Sequence, residues 1–453
     1  MNKGQGGKLA AALLIGSAIA ALVALQISSA GRIARAAALT TPYFGPAVTV
    51  YSDSVDNGEP VVAYSSVHDE YLVVWEDYNA GEIAIYGRLV NSDGQLVSGR
   101  ISIAYYSTYT NTQPAVAYSP VLDQYLVVYT ADSKPAGPPP NHDYDLIGRV
   151  VRGDGTLGDA LLVNAVTNEQ TWHPSVAYNS QDDEFLVAWE IEHGLYGAAG
   201  LRTDIYARRI YSDTGTGSWV LTPLRCVATG DPGTSDGRNR VQPDVAYNST
   251  ENEYLIAYTR EGSPDYDVLG KVAPASLDGV FGSSEITICA QTYDQSQIAV
   301  AAGPDEYLAV WQNKDSSGDW DVYGRRLRGS DGLPLGAAGG FVINHFSLAD
   351  SLVPEVAYGP VYGFMVAFQT DDGGSWEDDV YANYVRVGQE APVDLPFFID
   401  GGMSSSQREP DVVCSPGGDC LFVEADDSSG DYEIDATFLL AHRVYLPLVL
   451  RNQ

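Results

Sequence analysis

Basic residues are scarce in this chain. Its 453 residues include 25 Lys and Arg against 59 Asp and Glu, which gives a formal net charge of −34 at pH 7. A surface of this sign repels phosphate groups, so nucleic acid and anionic membranes are excluded as partners. The partners that remain are neutral or cationic molecules, including divalent cations.

Motifs of metal-dependent hydrolysis and nucleotide binding are also absent. The six histidines show no HExxH or other metal-ligand spacing, and no phosphate-binding P-loop occurs. The sequence therefore predicts no catalytic residue.

Long apolar runs are missing except near the N-terminus, where Leu9 to Leu25 is apolar. Residues 1–38 contain four basic residues and no acid. This pattern predicts a secretory signal peptide over residues 1–38, with cleavage near 30 or near 38. A retained anchor is the alternative, although the run is short for a membrane span. We expect a secreted or cell-surface protein that does not span the membrane once the signal is removed.

A repeated pattern occupies the rest of the chain. PxVAY, a hairpin-sized gap and then YLVVW recur seven times, beginning at Pro60, Pro114, Pro174, Pro243, Ile298, Pro354 and Pro410. A period of roughly 50 to 60 residues marks a repeat architecture. Each unit exposes an apolar face that only a neighbouring unit can cover.

Each unit predicts four short strands. One run of each unit is apolar on both faces, as Tyr71 to Trp75 is in the first unit. It is followed by a further run, such as Asp321-Val-Tyr-Gly-Arg325 in the fifth unit, then by an Asp-Gly turn and a short fourth run. The predicted fold is all-β, a seven-bladed β-propeller of four-stranded antiparallel blades over residues 39–442. An open solenoid is the less favoured alternative, because the terminal repeats keep apolar faces. We expect Val48 to Val50 to close the ring as the last strand of blade 7, with Val444 to Leu450 as the competing segment.

The units that read YLVVW, acidic loop, DxYGR and DG resemble the repeats of secreted bacterial β-propeller proteins, most of which have no assigned activity. The resemblance covers about residues 45–440. It implies the architecture and brings no catalytic residues. Residues 443–453 are similar to short tails of otherwise unrelated secreted bacterial proteins, so they are predicted to be either a sorting element or a last strand.

Four cysteines in an exported chain suggest disulfides. Cys414 and Cys420 occupy positions where other units have a tyrosine pair across one hairpin, which predicts a cross-strand disulfide. Cys226 and Cys289 occupy similar places in the fourth strands of consecutive blades. A second disulfide between them is possible only if their Cα atoms lie within about 7 Å.

Acidic residues cluster near the second hairpin of each blade. Oxygen ligands at short intervals make calcium a candidate cofactor, and the candidate ligands are Asp315, Asp319, Asp321, Asp426, Asp427 and Asp431. The favoured alternative is a set of structural ion pairs between residues i and i+4 of a strand, which share one face. These pairs are Asp145 with Arg149, Asp204 with Arg208, Asp267 with Lys271, and Asp321 with Arg325. Catalytic carboxylates are the third interpretation.

Polar residues directly before each PxVAY run are predicted to ring one mouth of the central channel. They are Glu59, Gln113, His173, Gln242, Gln297 and Glu409. Gln113, His173, Gln242 and the neighbouring Trp172 are the candidate binding residues.

The predicted function is a non-catalytic binding or scaffolding module for an extracellular protein or glycan. The alternatives are a glycan-processing hydrolase or lyase and a structural envelope protein. An enzyme would require convergent acids that break the sevenfold pattern, since an active site occurs once.

Overall fold

The computed structural model describes residues 43–79, 82–105, 110–132, 143–166, 169–193, 202–229, 236–262, 265–276, 284–344, 349–371, 378–393, 396–399, 406–427 and 430–441. These residues form seven antiparallel sheets in a β-propeller ring and contain no helix. The predicted fold is confirmed. The predicted signal peptide and the C-terminal tail lie outside the described residues. Within the described ranges, no helix is long and apolar enough to cross a membrane.

Blades 1 to 4 follow one another along the chain, and each runs from the channel outwards. Blade 1 consists of β2 (Asn57–Ser65), β3 (Glu70–Asn79), β4 (Glu82–Asn91) and β5 (Ile101–Ala104), and blade 2 of β6 (Asn111–Ser119), β7 (Gln124–Asp132), β8 (Tyr144–Arg152) and β9 (Leu157–Asn164). Blade 3 consists of β10 (Glu169–Asn179), β11 (Glu184–His193), β12 (Arg202–Ser212), β13 (Trp219–Leu221) and β14 (Arg225–Ala228). Blade 4 consists of β15 (Arg240–Asn248), β16 (Glu253–Arg260), β17 (Asp267–Pro274) and β18 (Ile286–Cys289). In blade 3 the outermost position is divided, because β13 and β14 both pair with β12.

Blades 5 to 7 complete the ring. Blade 5 consists of β19 (Gln295–Ala302), β20 (Glu306–Lys314), β21 (Trp320–Arg328) and β22 (Phe341–Asn344). Blade 6 consists of β23 (Asp350–Gly359), β24 (Gly363–Asp371), β25 (Asp379–Val385) and β26 (Phe397–Phe398). Blade 7 consists of β27 (Gln407–Cys414), β28 (Cys420–Asp426), β29 (Glu433–Leu439) and β1 (Phe44–Tyr51).

Burial on both faces of each second strand drives the assembly. Tyr71 to Trp75 of β3 are fully buried. In β7 alternate residues serve opposite neighbours: Val127 packs into the core shared with blade 1, and Leu126 into the core shared with blade 3. Each second strand thus holds two blades together.

The N-terminal strand closes the ring, as predicted: β1 lies next to β29 in blade 7. The propeller occupies residues 45–438. A second unit, residues 1–44 and 439–453, is described only at 43–44 and 439–441, where the Leu440 N–H donates to the Tyr43 carbonyl at 2.9 Å.

A side chain from each of several third strands links its blade to the outer strand of the blade before it. Arg88 Nη1 donates to the Val50 carbonyl at 2.9 Å, which fixes the closing strand β1. Equivalent bonds join Arg208 to Val163, Arg325 to Ile288 at 2.6 Å, and the Asn383 amide to Ile343 at 3.2 Å. The closure therefore uses the same contact as the interfaces inside the ring.

These bonds correct the prediction of ion pairs between residues i and i+4. Arg208 and Arg325 bind backbone carbonyls rather than Asp204 and Asp321, and Arg149 Nη1 lies 3.4 Å from the Gly158 carbonyl rather than on Asp145. The reason is geometric: a strand rises about 3.3 Å per residue, so four residues separate two Cα atoms by about 13 Å.

The acids themselves have other partners. Asp204 lies 3.0 Å from His193 Nε2 and 3.3 Å from Arg202 Nε. Asp267 pairs with Arg260 and, at 3.8 Å, with Arg238, rather than with Lys271. His193 and Arg260 come from neighbouring strands and Arg238 from a loop, whereas Arg202 lies two residues before Asp204 in the same strand.

Cys414 and Cys420 form the predicted disulfide, with sulfurs 2.02 Å apart and the two residues opposite each other across β27 and β28. In this position the bond closes a six-residue separation within one hairpin. A crosslink of this length stabilises by about 2 kcal/mol.

The second disulfide is wrong, because Cys226 and Cys289 are both free. The two residues are not equivalent in their strands. Cys226 lies opposite Tyr206 in blade 3, and its counterpart opposite Leu269 in blade 4 is Thr287, two residues before Cys289. Cys226 is accordingly exposed on the outer strand, whereas Cys289 is buried.

Replacing Arg325 by Met tests the interblade bonds. The change leaves the Ile288 carbonyl without its charged donor, and we expect unfolding free energy to fall by about 1 to 3 kcal/mol in urea titrations. Arg328→Met is the matched control, because Arg328 is exposed and its one ion-pair partner among the described residues is Asp331. Equal effects of the two substitutions would contradict the role given to Arg325.

Candidate functional site at the channel mouth

Every inner strand has a β-bulge at the residue before the PxVAY run. The register shifts at this place in all seven blades. The bulged residues all have φ between 47° and 56°, and they are Glu59, Gln113, His173, Gln242, Gln297, Val353 and Glu409. Positive φ is uncommon outside glycine and is tolerated where surrounding structure holds it. The predicted polar ring thus exists as a ring of bulges.

The ring lies at the end of the blades where the inner strands begin. Because the sheets are antiparallel, the loops between second and third strands, and those leading into each next blade, lie at this same end. The ring is therefore the mouth of the channel, surrounded by the acidic hairpins.

Side chains of the second strands reach this ring from the preceding blade. The Gln113 N–H donates to Glu76 Oε1 at 2.5 Å, and the Gln242 N–H donates to Glu190 Oε2 at 2.7 Å. Gln312 and Gln369 accept equivalent bonds from Val353 and Glu409 at 3.3 and 3.2 Å.

Two pairs of ring residues bond directly to one another, each across a blade interface. The His173 N–H donates to Gln113 Oε1 at 2.9 Å, and the Glu59 N–H donates to Glu409 Oε2 at 2.8 Å. The second bond brings two carboxyl groups into one part of the mouth. Arg408 Nε lies 3.5 Å from the other oxygen of Glu409.

Glu59 has an unusual proton affinity. It is open to the channel but enclosed by the walls of the mouth, and this desolvation, followed by the charges of Glu409 and Glu76, raises its pKa to about 7. Burial also raises the pKa of Glu76, against hydrogen bonds from the Thr112 hydroxyl and the Gln113 N–H. Two carboxyl groups of this mouth therefore hold protons more strongly than free glutamate does.

His173 forms the second titratable pair of the mouth. Its Nδ1 lies 2.9 Å from Glu190 Oε1. Burial disfavours the imidazolium, but the hydrogen bond and charge of Glu190 together with the charge of Glu59 outweigh it and raise the pKa of His173. The Glu190 side chain is 7% exposed and that of His173 is 41% exposed, so the carboxylate orients a ring that solvent and ligands can reach.

Three more acids line the channel below the ring, at the position after each PxVAY proline. This position carries Asp244, Glu355 and Asp411 in blades 4, 6 and 7, Ser175 in blade 3, and Val61, Ala115 and Ala299 in the other blades. The carboxyl groups therefore break the sevenfold pattern.

Two of these acids are tied to neighbouring inner strands. Asp244 accepts from Ser175 Oγ and from the Val300 N–H, both at 2.7 Å. Asp411 accepts from the Val62 N–H at 2.8 Å. Burial raises the pKa of Asp411 to about 7, and burial with the nearby Asp411 raises that of Glu355 well above its ordinary value.

The structure separates the predicted binding residues. Gln113, His173 and Gln242 belong to the ring, whereas Trp172 packs on Tyr144 with ring centroids 4.2 Å apart. The acids Glu76, Glu190, Asp244, Glu355 and Asp411 were not predicted as site residues. An alignment of the seven repeats would have found them. Glu76 and Glu190 directly follow the tryptophan of the second strand, and Asp244, Glu355 and Asp411 directly follow the proline of the inner strand, at positions where the repeats differ.

The predicted metal ligands of blade 5 cap a hairpin. Asp315 Oδ1 accepts the N–H groups of Ser317, Gly318 and Asp319 at 2.7 to 3.1 Å. The Ser317 hydroxyl, which donates to Asp315 Oδ1 at 2.7 Å, and these N–H groups lower the pKa of Asp315. Its carboxylate is thus engaged in turn formation.

Blade 7 contains a group of acids able to hold a metal ion. Asp426, Glu433 and Asp435 each place one carboxylate oxygen within 4.8 Å of the others. Of the predicted ligands only Asp426 belongs to this group. Asp435 occupies the position that is equivalent to Tyr323 of blade 5, and the fully buried Glu424 occupies the position equivalent to Trp311. An aromatic pair has thus been replaced by two acids.

Comparison with known proteins supports the fold. No protein-family model and no curated protein matches the chain. A protein of unknown function from Dyadobacter fermentans is similar in structure, with 10% identity over 89% of this chain and 100% of that chain and a TM-score of 0.54. An ulvan lyase of a polysaccharide lyase family has 9% identity over 74% and 80% and a TM-score of 0.50. A Hadza microbial sialidase has 10% identity over 82% and 76% and a TM-score of 0.47.

The channel acids predict a stability that depends on pH. A carboxyl group whose pKa is raised by folding stabilises the folded state while protonated and stops doing so as pH rises through the folded pKa. Unfolding free energy should therefore fall between about pH 4 and 7, and the fall should be smaller in Asp411→Asn. The measurement is urea unfolding at a series of pH values.

Asp315→Asn is the control for this experiment. The pKa of Asp315 is lowered, so its contribution changes only below the range tested. A profile for Asp411→Asn that runs parallel to the wild-type profile would contradict the assignment to the channel.

Proposed function

We propose that this protein is a secreted propeller that binds a glycan at the channel mouth and carries out acid–base chemistry on it, as a hydrolase or lyase. The observation that carries the proposal is the pair Glu59 and Glu409, joined at 2.8 Å through the Glu59 N–H, in a mouth whose acids break the repeat. Pairs of carboxyl groups whose surroundings push their proton affinities apart are typical of acid–base sites.

The residues divide into roles. Glu59, with a pKa raised to about 7, is the proton donor to the oxygen of the bond that breaks. Glu409, held by the Glu59 N–H and facing Arg408, is the carboxylate that acts as base or nucleophile. His173, oriented by Glu190, binds a substrate hydroxyl or carboxylate beside them.

Export is part of the proposal. The disulfide between Cys414 and Cys420 suits an oxidising compartment. The N-terminal segment has the composition of a signal peptide. The shared propeller fold of the ulvan lyase adds that such a ring can carry glycan chemistry.

A non-catalytic binding module is the second candidate. One observation favours it: Glu76, Glu190 and Glu409 all accept backbone N–H groups from the next blade, so the mouth acids also hold the ring together. In this case the mouth would bind an extracellular glycan or protein without changing it.

Replacing Glu59 by Gln distinguishes the two candidates. Purified protein is incubated with a panel of neutral, uronic and sulfated polysaccharides, and new reducing ends and unsaturated products are measured alongside binding by affinity electrophoresis. We expect Glu59→Gln to lower turnover by roughly 10² to 10⁴ while binding persists, because only proton donation is lost. Wild-type activity should fall as pH rises above about 7.

Glu253→Gln is the matched control. Burial raises the pKa of Glu253 to about 7 as well, but this residue begins β16, at the end of the blade opposite the mouth. Its replacement should leave turnover unchanged. Binding without cleavage of any polysaccharide by the wild type would reject the enzyme and retain the binding module.

We further propose that calcium stabilises blade 7 through Asp426, Glu433 and Asp435, since hard cations prefer carboxylate oxygens. At about 100 times its Kd, calcium should add about 2.7 kcal/mol to the unfolding free energy, measured in urea with calcium and with excess chelator. Asp426→Asn should abolish the increase, and Asp315→Asn should retain it. The opposite result would transfer the site to the hairpin of blade 5.

A further inference from the structure

A cavity of about 400 Å³ lies on one face of blade 2. Its walls follow the cross-strand rows of the sheet. Asn111 lies opposite Ala131, which lies opposite Asp145; in the next row Tyr129 lies opposite Ile147, and beyond it is Arg149. We refer to this cavity as the blade-2 pocket.

Smaller side chains than those of blade 1 create the pocket. The equivalent space of blade 1 holds Trp75, Tyr86 and Arg100, with the Arg100 guanidinium 4.0 Å from the centre of the Tyr86 ring. Strand pairing shows which positions of the two blades are equivalent. Tyr86 precedes Gly87, which lies opposite Ile101, and in the same way Ile147 precedes Gly148, which lies opposite Leu161. The three positions therefore carry Tyr129, Ile147 and Ala160 in blade 2.

The substitutions leave an acceptor without a donor. In blade 1 the Trp75 indole N–H donates to Asn57 Oδ1 at 3.1 Å. Blade 2 has Tyr129 in place of the tryptophan. Asn111 donates through Nδ2 to the Ile83 carbonyl at 3.3 Å, but its buried Oδ1 has no hydrogen-bond partner among the described residues. A buried acceptor of this kind is unfavourable unless a ligand or water satisfies it.

Arg149 is also left with spare hydrogen-bonding capacity. Its equivalents Arg88, Arg208 and Arg325 all bind a carbonyl of the preceding blade. Arg149 Nη1 instead lies 3.4 Å from the Gly158 carbonyl in its own blade, and its buried Nε has no partner within the ranges that the structure describes. The guanidinium can therefore donate into the pocket.

We propose that the blade-2 pocket binds one neutral saccharide unit. Its polar groups are mostly acceptors: Asn111 Oδ1, the carboxylate of Asp145 and the buried carboxylate of Asp132, which already accepts the Asp143 N–H at 3.3 Å, with Arg149 as the donor. Sugar hydroxyls both donate and accept, so they match this set. The two carboxylates exceed the single guanidinium by one negative charge, which disfavours anionic sugars.

Size and shape agree with this ligand. The volume lies within the range of small-molecule sites, which combine apolar walls with a few polar groups. Tyr129, Ile147 and Leu162, which lies opposite Ile147, provide an apolar wall against which the C–H face of a pyranose ring packs. This inference does not depend on chemistry at the channel mouth.

The test is ligand-observed NMR and calorimetry with a panel of neutral monosaccharides, with uronic acids and free amino acids as comparison ligands. Ala160→Arg restores the arginine of blade 1 and should fill the pocket. We expect at least one neutral monosaccharide to bind the wild type and its affinity to fall roughly tenfold or more in Ala160→Arg. Arg149→Met should weaken the same ligand, because it removes the donor.

The controls separate this site from the channel. Glu59→Gln should keep the monosaccharide affinity, so that failure of the channel proposal leaves this result unaffected. Urea unfolding of Ala160→Arg establishes that the variant is folded. The proposal is overturned if no neutral monosaccharide binds, if binding survives in folded Ala160→Arg, or if amino acids bind in place of sugars.

Discussion

Apolar packing between neighbouring blades is the interaction on which the rest of this structure depends. A second strand such as Tyr71 to Trp75 is buried on both faces, so each blade needs a neighbour on either side. At about 25 cal/mol per Å² of apolar surface, an uncovered face would cost several kcal/mol. A closed ring meets the requirement without terminal caps, which explains why a strand from the N-terminus completes blade 7.

Closure also determines where polar groups collect. The inner strands converge on one channel, and the bulge at the start of each strand turns a side chain towards its mouth. In a perfect repeat the same residue would occur seven times. Here the backbone bulge recurs in all blades while the side chains differ, and carboxyl groups from different blades are enclosed together. Their proton affinities follow from that enclosure rather than from any local motif.

The repeat made most of the fold predictable from sequence. The alternation in Tyr71 to Trp75 and the pattern of the four runs specify a blade, and the paired replacement of two tyrosines identified the disulfide between Cys414 and Cys420. The ring before the prolines was predictable because its residues share one offset. Each of these features depends on local sequence and on repetition.

The errors arose where partners come from other strands. Residues i and i+4 share a face but lie too far apart to pair, so Arg325 reaches the carbonyl of Ile288 in the preceding blade. Cys226 and Cys289 look equivalent in sequence, yet their outer strands share one register in which the counterpart of Cys226 is Thr287, two residues before Cys289. The pairing of each outer strand with its third strand includes a bulge, and one chain's sequence does not show it.

The differences between blades have a common physical form. Once Trp75, Tyr86 and Arg100 fill the interface of blade 1, the same backbone in blade 2 is stable with smaller residues only if something else occupies or hydrates the space. The pocket opens to solvent beside the exposed Leu162, so water can enter it. Blade 2 lines the space with Asn111 and Arg149, whose Oδ1 and Nε lack partners among the described residues and can bond to water or to a hydroxylated ligand. The same reasoning applies in blade 7, where Glu424 and Asp435 replace an aromatic pair beside Asp426 and Glu433. Interblade interfaces that lose their aromatic filling and gain polar groups are thus the places where a symmetric ring can acquire separate ligand sites without altering its backbone.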